Sequence, residues 1–137
     1  MRKMRSMVGL LLVALVAVGC NADSLTSAQV AGTWNLVRIS GAALPATVQD
    51  SGGVKIVIQS DQFVLKSDGT WTETLVQVQT VNGVTSTVQF TPLGYYFLID
   101  SDITLDFGDG TQAVGTIDGG NMTFGGGGSF TEVYTRQ

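Results

Sequence analysis

From Val30 onward the chain alternates apolar and polar residues in short runs, separated by turns bearing glycine and aspartate. Ile103, Leu105 and Phe107 share one parity, and Thr104 and Asp106 take the other. Phe63 and Leu65 stand against Gln62 and Lys66; Val84, Ser86, Val88 and Phe90 stand against Thr85, Thr87 and Gln89. A period of two sends alternate side chains to opposite faces of a strand. The pattern predicts strands near 32–39, 54–58, 62–66, 70–80, 84–91, 94–99, 103–107, 112–117, 121–124 and 129–136. Tyr95 to Ile99 and part of 75–78 are apolar on both faces, so those strands are either covered on both sides or leave a sticky face exposed. Asp68-Gly69, Asn82-Gly83, Asp109-Gly110 and Asp118-Gly119 are Asx-Gly pairs, which reach the positive φ of tight hairpins and make neighbouring strands antiparallel. The longest link, 40–53, is a lid or a crossover. One stretch, 24–30, suits a helical turn, with Ser24 as its N-cap. About ten short antiparallel strands favour closure into a barrel, which removes exposed sheet edges. The expected fold is all-β, a small antiparallel up-and-down β-barrel of about 8–10 strands.

The first twenty residues break this pattern. Arg2, Lys3 and Arg5 precede twelve uncharged residues, 7–18, and Gly19-Cys20 follows. A basic start, a short apolar run and small residues before a cut site describe a secretory signal. Twelve residues fall short of the roughly 20 that a spanning helix needs. Val16-Ala17-Val18-Gly19-Cys20 resembles the lipobox of bacterial lipoproteins. The resemblance implies cleavage before Cys20 and acyl chains on that residue, the only cysteine of the chain. The alternatives are an ordinary secretory signal followed by a chance cysteine, or a small buried thiol. Two or more acyl chains hold a protein stably on a bilayer where one does not. Asn21, where an inner-membrane lipoprotein often has Asp, points to the outer membrane if the envelope is Gram-negative. The expected organisation is a lipoprotein signal peptide at 1–19, a lipidated Cys20 and tether at 20–29, and a barrel domain at 30–137.

Composition narrows the chemistry. The 137 residues include no histidine, which excludes Ser-His and Cys-His dyads and histidine-ligated metals. Beyond residue 19 only Arg38, Lys55, Lys66 and Arg136 are basic, against eleven acidic residues, a side-chain net of −7. Scattered cations on an acidic surface suit neither nucleic acid nor anionic lipid. The membrane is expected as a partner only through acyl chains on Cys20, and nucleic acid is not expected.

A family resemblance covers most of the domain. Gly32-Thr33-Trp34, after a short helical turn, resembles the Gly-x-Trp opening of lipocalins and the wider lipocalin-like barrels. Leu65-Lys66-Ser67-Asp68-Gly69-Thr70-Trp71 is similar to a hairpin of small bacterial lipocalin-like lipoprotein domains. So are Leu105-Asp106-Phe107-Gly108-Asp109-Gly110-Thr111, the stretch 115–124 and the terminal Val133-Tyr134-Thr135-Arg136. The resemblance implies that Trp34 plugs the closed barrel end and that Arg136 packs on its indole as a barrel-closing pair. Arg38, on the same face as Trp34 by strict alternation, is the competitor.

Barrels of about eight strands are either filled by side chains or hold one small ligand. The expected activity is non-catalytic binding of a small hydrophobic or amphipathic ligand, with Trp71, Phe90, Tyr96 and Phe107 as candidate lining. The alternative is an envelope scaffold or protein-interaction module with a filled core, binding through the strand around Tyr95 to Ile99. Asp100, Asp102, Asp106 and Asp109 form an acidic cluster without EF-hand spacing, so turn positions account for them better than a calcium site. Glu73 and Glu132 are the acids whose positions point inward, but nothing in the sequence sets their separation for acid–base work. The run Gly125 to Gly128 lacks the Lys-Ser/Thr of a phosphate loop. No metal, cofactor or catalytic residue is expected.

Overall fold

The Asx-Gly turns fold the chain back on itself strand by strand. The computed structural model describes residues 24–125 and 130–137. The signal segment 1–19, Cys20 and the rest of the glycine run after Gly125 lie outside the described residues. A short helix, α1 (Ser27–Val30), precedes eleven strands: β1 (Gly32–Ile39), β2 (Ala42–Ala43), β3 (Ala46–Ser51), β4 (Val54–Leu65), β5 (Thr70–Val81), β6 (Val84–Phe90), β7 (Leu93–Ile99), β8 (Asp102–Asp106), β9 (Gln112–Asp118), β10 (Asn121–Phe124) and β11 (Glu132–Arg136). Eight of them, β1, β4, β5, β7, β8, β9, β10 and β11, pair in chain order, and β1 pairs both β4 and β11, closing an antiparallel up-and-down barrel. The all-β barrel read from the alternation is the fold of the protein.

Two departures from simple alternation shape it. The expected strands 54–58 and 62–66 are one strand, β4, whose register shifts between Ile58 and Ser60. Gln59 is the extra residue of a bulge, and an extra residue changes which parity faces inward. Ile58 and, beyond the bulge, Asp61, Phe63 and Leu65 are all buried. A second bulge lies between Leu36 and Arg38. It turns Arg38 out to solvent and Ile39 into the core, so Arg38 cannot compete for Trp34.

The strands outside the barrel continue the β4–β5 hairpin. β5 pairs β7 through Thr70–Thr72 and β6 through Leu75–Val81, so β6 and β7 are two halves of one partner, broken at Thr91-Pro92. Proline has no N–H for a ladder and marks such a break; its carbonyl accepts the Glu73 N–H at 2.9 Å. β3, within the 40–53 link, is neither lid nor crossover but a strand paired with the first half of β4. The result is an apron, β3-β4-β5-β6, projecting from one side of the barrel. On it β6 is exposed on nearly every residue, correcting the expectation that Val84, Ser86, Val88 and Phe90 face a core.

Turn chemistry accounts for the repeated Asp-Gly-Thr. Asp68 Oδ1 accepts hydrogen bonds from the Thr70 N–H (2.9 Å) and hydroxyl (2.6 Å), and Asp109 does the same for Thr111. Asp106 Oδ1 accepts the Gly108 N–H at 2.8 Å, and Asp100 Oδ1 accepts the Ser24 hydroxyl. These bonds hold the Asp68, Asp106 and Asp109 carboxyls below the usual range. Asn82 and Gly83 both adopt positive φ, as a two-residue type I′ hairpin requires. The N-cap of α1 is Thr26, not Ser24. Thr26 and Gln29 form a reciprocal capping box, a Thr-x-x-Gln signature present in the sequence.

Candidate functional site

The register fixes what lies at each barrel end. α1, the turns β4–β5, β7–β8 and β9–β10, and Arg136 gather at one end. The β8–β9 connection, the paired ends Phe124 and Glu132 of β10 and β11, and the apron gather at the other.

The first end is shut. Trp34 is fully buried, and its Nε1–H donates to the Val30 carbonyl at 3.0 Å. The Arg136 guanidinium carbon stands 5.7 Å from the Trp34 ring centroid, within cation–π range. Arg136 also donates to the carbonyls of Gln29 and Ala31, binding α1 to the barrel. Gly32 makes room for it, since a Cβ at that position would lie 3.2 Å from Arg136 Nε, and the Gly32 φ of +144° disfavours other residues as well. The Gly-x-Trp spacing thus has a mechanical meaning. Val30, Leu65, Ile103 and Met122 are buried in the same core.

The other end holds a cavity of about 300 Å³. Leu36 and Ile39 from β1, Val48 from β3, Ile58, Phe63, Leu75, Leu105, Phe107, Ala113, Phe124 and Phe130 form its apolar wall. Phe63, Phe124 and Tyr134 meet edge-on or tilted, with centroids 5.2–6.3 Å apart. Of the four expected lining aromatics, Phe107 lines the cavity. Trp71 is fully buried behind it, edge-on to both Phe107 (5.0 Å) and Phe63 (5.5 Å), with its Nε1–H on the Tyr95 carbonyl. Tyr96 is buried and points its hydroxyl to the Lys66 carbonyl at the β4–β5 turn. Phe90 lies on the apron, 43% exposed. Trp71, Phe90 and Tyr96 therefore do not line the cavity. Trp71 and Tyr96 do face the interior, but the sequence does not say at which height along the barrel they lie. Phe90 fails because β6 lies outside the barrel.

Four polar side chains enter this apolar chamber: Asp61 from β4, Glu73 from β5, and Glu132 and Tyr134 from β11. Among the described residues no basic side chain lines it. The Tyr134 hydroxyl donates to Asp61 Oδ2 at 2.6 Å and lies 3.5 Å from a Glu132 oxygen. Asp61 is 5% exposed, and its Oδ1 accepts no hydrogen bond from any donor among the described residues. The neighbouring Glu73 carboxyl can supply one only while it holds its own proton. Burial, then the charge of Asp61, pushes Glu73 from 4.5 up to about 8. Burial raises Asp61 and Glu132 above their ordinary values, and for Glu132 the Asp61 charge adds to it. Burial and then the adjacent carboxylates push the Tyr134 phenol up as well. Among the described residues no three acidic or cysteine side chains stand close enough to hold a metal ion.

Inward placement of Glu73 and Glu132 followed from alternation. Asp61 was missed because Ser60-Asp61 between two apolar runs reads as a turn. A signal was present: the long strand after Asp68-Gly69 needs a partner of equal length before it, and Leu65↔Trp71 continues to Asp61↔Leu75.

Comparison with protein-family models, with curated proteins and with solved structures finds no match to this chain.

Proposed function

We propose that this chain is a lipid-anchored cell-envelope protein of lipocalin-like form that holds a small hydrophobic or amphipathic ligand without acting on it chemically. The observation that carries this reading is the cavity at one barrel end, apolar over most of its wall with a few converging polar groups. That is the usual make-up of a small-molecule site, and about 300 Å³ is at the small end of the usual range. The Gly-x-Trp plug, with Arg136 over its indole, supports the lipocalin-like part of the reading. The described chain begins at Ser24 beside Asp100, at the shut end. An acyl anchor on Cys20 would therefore hold that end toward the bilayer and the mouth away from it. In the test, the Cys20→Ser chain is titrated with an environment-sensitive naphthalene fluorophore. Saturable binding that Ala113→Trp abolishes by filling the cavity is expected; binding equal in both proteins would refute the cavity as the site.

A second reading, an envelope interaction module, draws on the outer face of β7. Leu93, Tyr95, Phe97 and Ile99 are all more than half exposed, and Val114 joins the row Phe97–Thr104–Val114. Patches of this kind on soluble faces mark contact sites. Phe97→Asp, with Tyr96 left in the core, should abolish a protein partner captured from envelope extracts; a partner retained by that variant refutes this surface.

A further inference from the structure

The proposal that follows rests on the cavity reading and names the headgroup its ligand carries. Asp61 is the key residue. It is a carboxylate 95% removed from solvent, with one oxygen held by the Tyr134 hydroxyl and the other without a donor among the described residues. A buried acceptor without a partner costs about 1–3 kcal/mol, and more when charged. Two further carboxyls, Glu73 and Glu132, line the same chamber, and among the described residues no cation does. Every other wall element contributes apolar side chains: Leu36 and Ile39 from β1, Val48 from β3, Leu105 from β8, Phe124 from β10. A folded domain rarely collects three acids in an apolar chamber without something to neutralise them.

A metal ion does not fit, since no three of these groups stand close enough to ligate one. The chamber is also far larger than an ion. At the roughly 30 Å³ a water molecule occupies, it admits on the order of ten non-hydrogen atoms. An anion is excluded by charge. A wholly apolar ligand would leave the Asp61 oxygen with no donor but the Glu73 proton. We propose that the chamber binds a small amphipathic primary amine, its ammonium donating to Asp61 Oδ1 with Glu73 and Glu132 flanking, and its apolar body lying between Phe107, Phe124 and Leu36. An ammonium carries three N–H donors and no acceptor, which suits a chamber rich in carboxyl oxygens and lacking cations.

In the free protein near neutral pH, Glu73 holds a proton. Entry of an ammonium supplies a positive charge in its place, so that proton leaves to the buffer and no bond to carbon changes.

The test uses the full chain in nanodiscs of neutral lipid, with protein-free nanodiscs as reference, titrated calorimetrically at pH 7 with hexylamine, 1-hexanol and hexanoate. These probes share one apolar body and differ in the headgroup. Hexylamine is expected to bind at least tenfold more tightly than 1-hexanol, with hexanoate weakest. Its binding heat should change with the ionisation enthalpy of the buffer, reporting proton release. Asp61→Asn and Glu73→Gln should each bring the amine-to-alcohol affinity ratio toward one. Equal affinities for hexylamine and 1-hexanol would overturn the amine assignment while leaving the cavity reading in place. Absence of binding by all three probes would overturn both. The ranking of probes on the unaltered chain decides the matter even if Asp61→Asn does not fold.

Discussion

Glu73 offers the sharpest test of the chamber's electrostatics. Its carboxyl sits at about 8 in the folded protein against an ordinary 4.5, because burial and the Asp61 charge disfavour ionisation. Below about 4.5 both folded and unfolded chains hold this proton, and it has no effect on stability. Between about 4.5 and 8 the unfolded chain has released the proton and the folded chain has not. The unfolded state then binds fewer protons, so stability falls as pH rises through this window. At about 1.4 kcal/mol for each pH step, the full window amounts to roughly 5 kcal/mol. Glu73 is only half-buried beside the mouth, and water there screens the charge, which brings the expected effect to about 2–4 kcal/mol. Glu73→Gln keeps the shape and a hydrogen-bond donor toward Asp61 but cannot ionise. Urea unfolding followed by the fluorescence of buried Trp34 and Trp71, at pH 5, 7 and 9, should show the two proteins close at pH 5 and the variant more stable by that margin at pH 9. A smaller decline should persist in the variant, since Asp61 and Glu132 are raised by burial with the same sign. Parallel pH profiles for the two proteins would refute the argument, because they would mean that Glu73 ionises in the fold as freely as in water.

Three further outcomes follow from the same physics. Trp34→Ala removes a fully buried indole and its hydrogen bond to Val30, and should lower unfolding free energy by about 3–5 kcal/mol in urea titrations; an unchanged midpoint would show that the plug is not structural. Arg136→Gln gives up the indole contact and the carbonyls of Gln29 and Ala31 and should cost about 1–2 kcal/mol, with early protease cleavage near α1 as a second readout. Cys20→Ser should move the protein from the membrane pellet to the soluble fraction; retention after a carbonate wash would exclude an acyl anchor on that residue.

The fold was legible because its information is local. A half-buried strand writes itself as alternation, and Asx-Gly pairs supply the positive φ that reverses it, so an all-β barrel of antiparallel neighbours could be read without any contact being known, although β4 reads as two strands and β6 reads as one of the same run. Ile103 and Leu105 fell on the buried parity for the same reason. Three matters belonged to the tertiary structure alone. Bulges at Val37 and Gln59 change parity in mid-strand, and only pairing with a neighbour shows where the extra residue sits; hence Arg38 faces outward and Asp61 inward. The division of β5 between β7 and β6 put Phe90 on an apron instead of in the barrel. Height along the barrel set Phe107 in the chamber, Trp71 behind it and Tyr96 against the β4–β5 turn. Alternation encodes which side of a sheet a residue takes, but the distance along the barrel axis depends on the stagger between strands, which neighbours decide together. The meeting of Asp61, Glu73 and Glu132 from three stretches of chain is a consequence of that stagger.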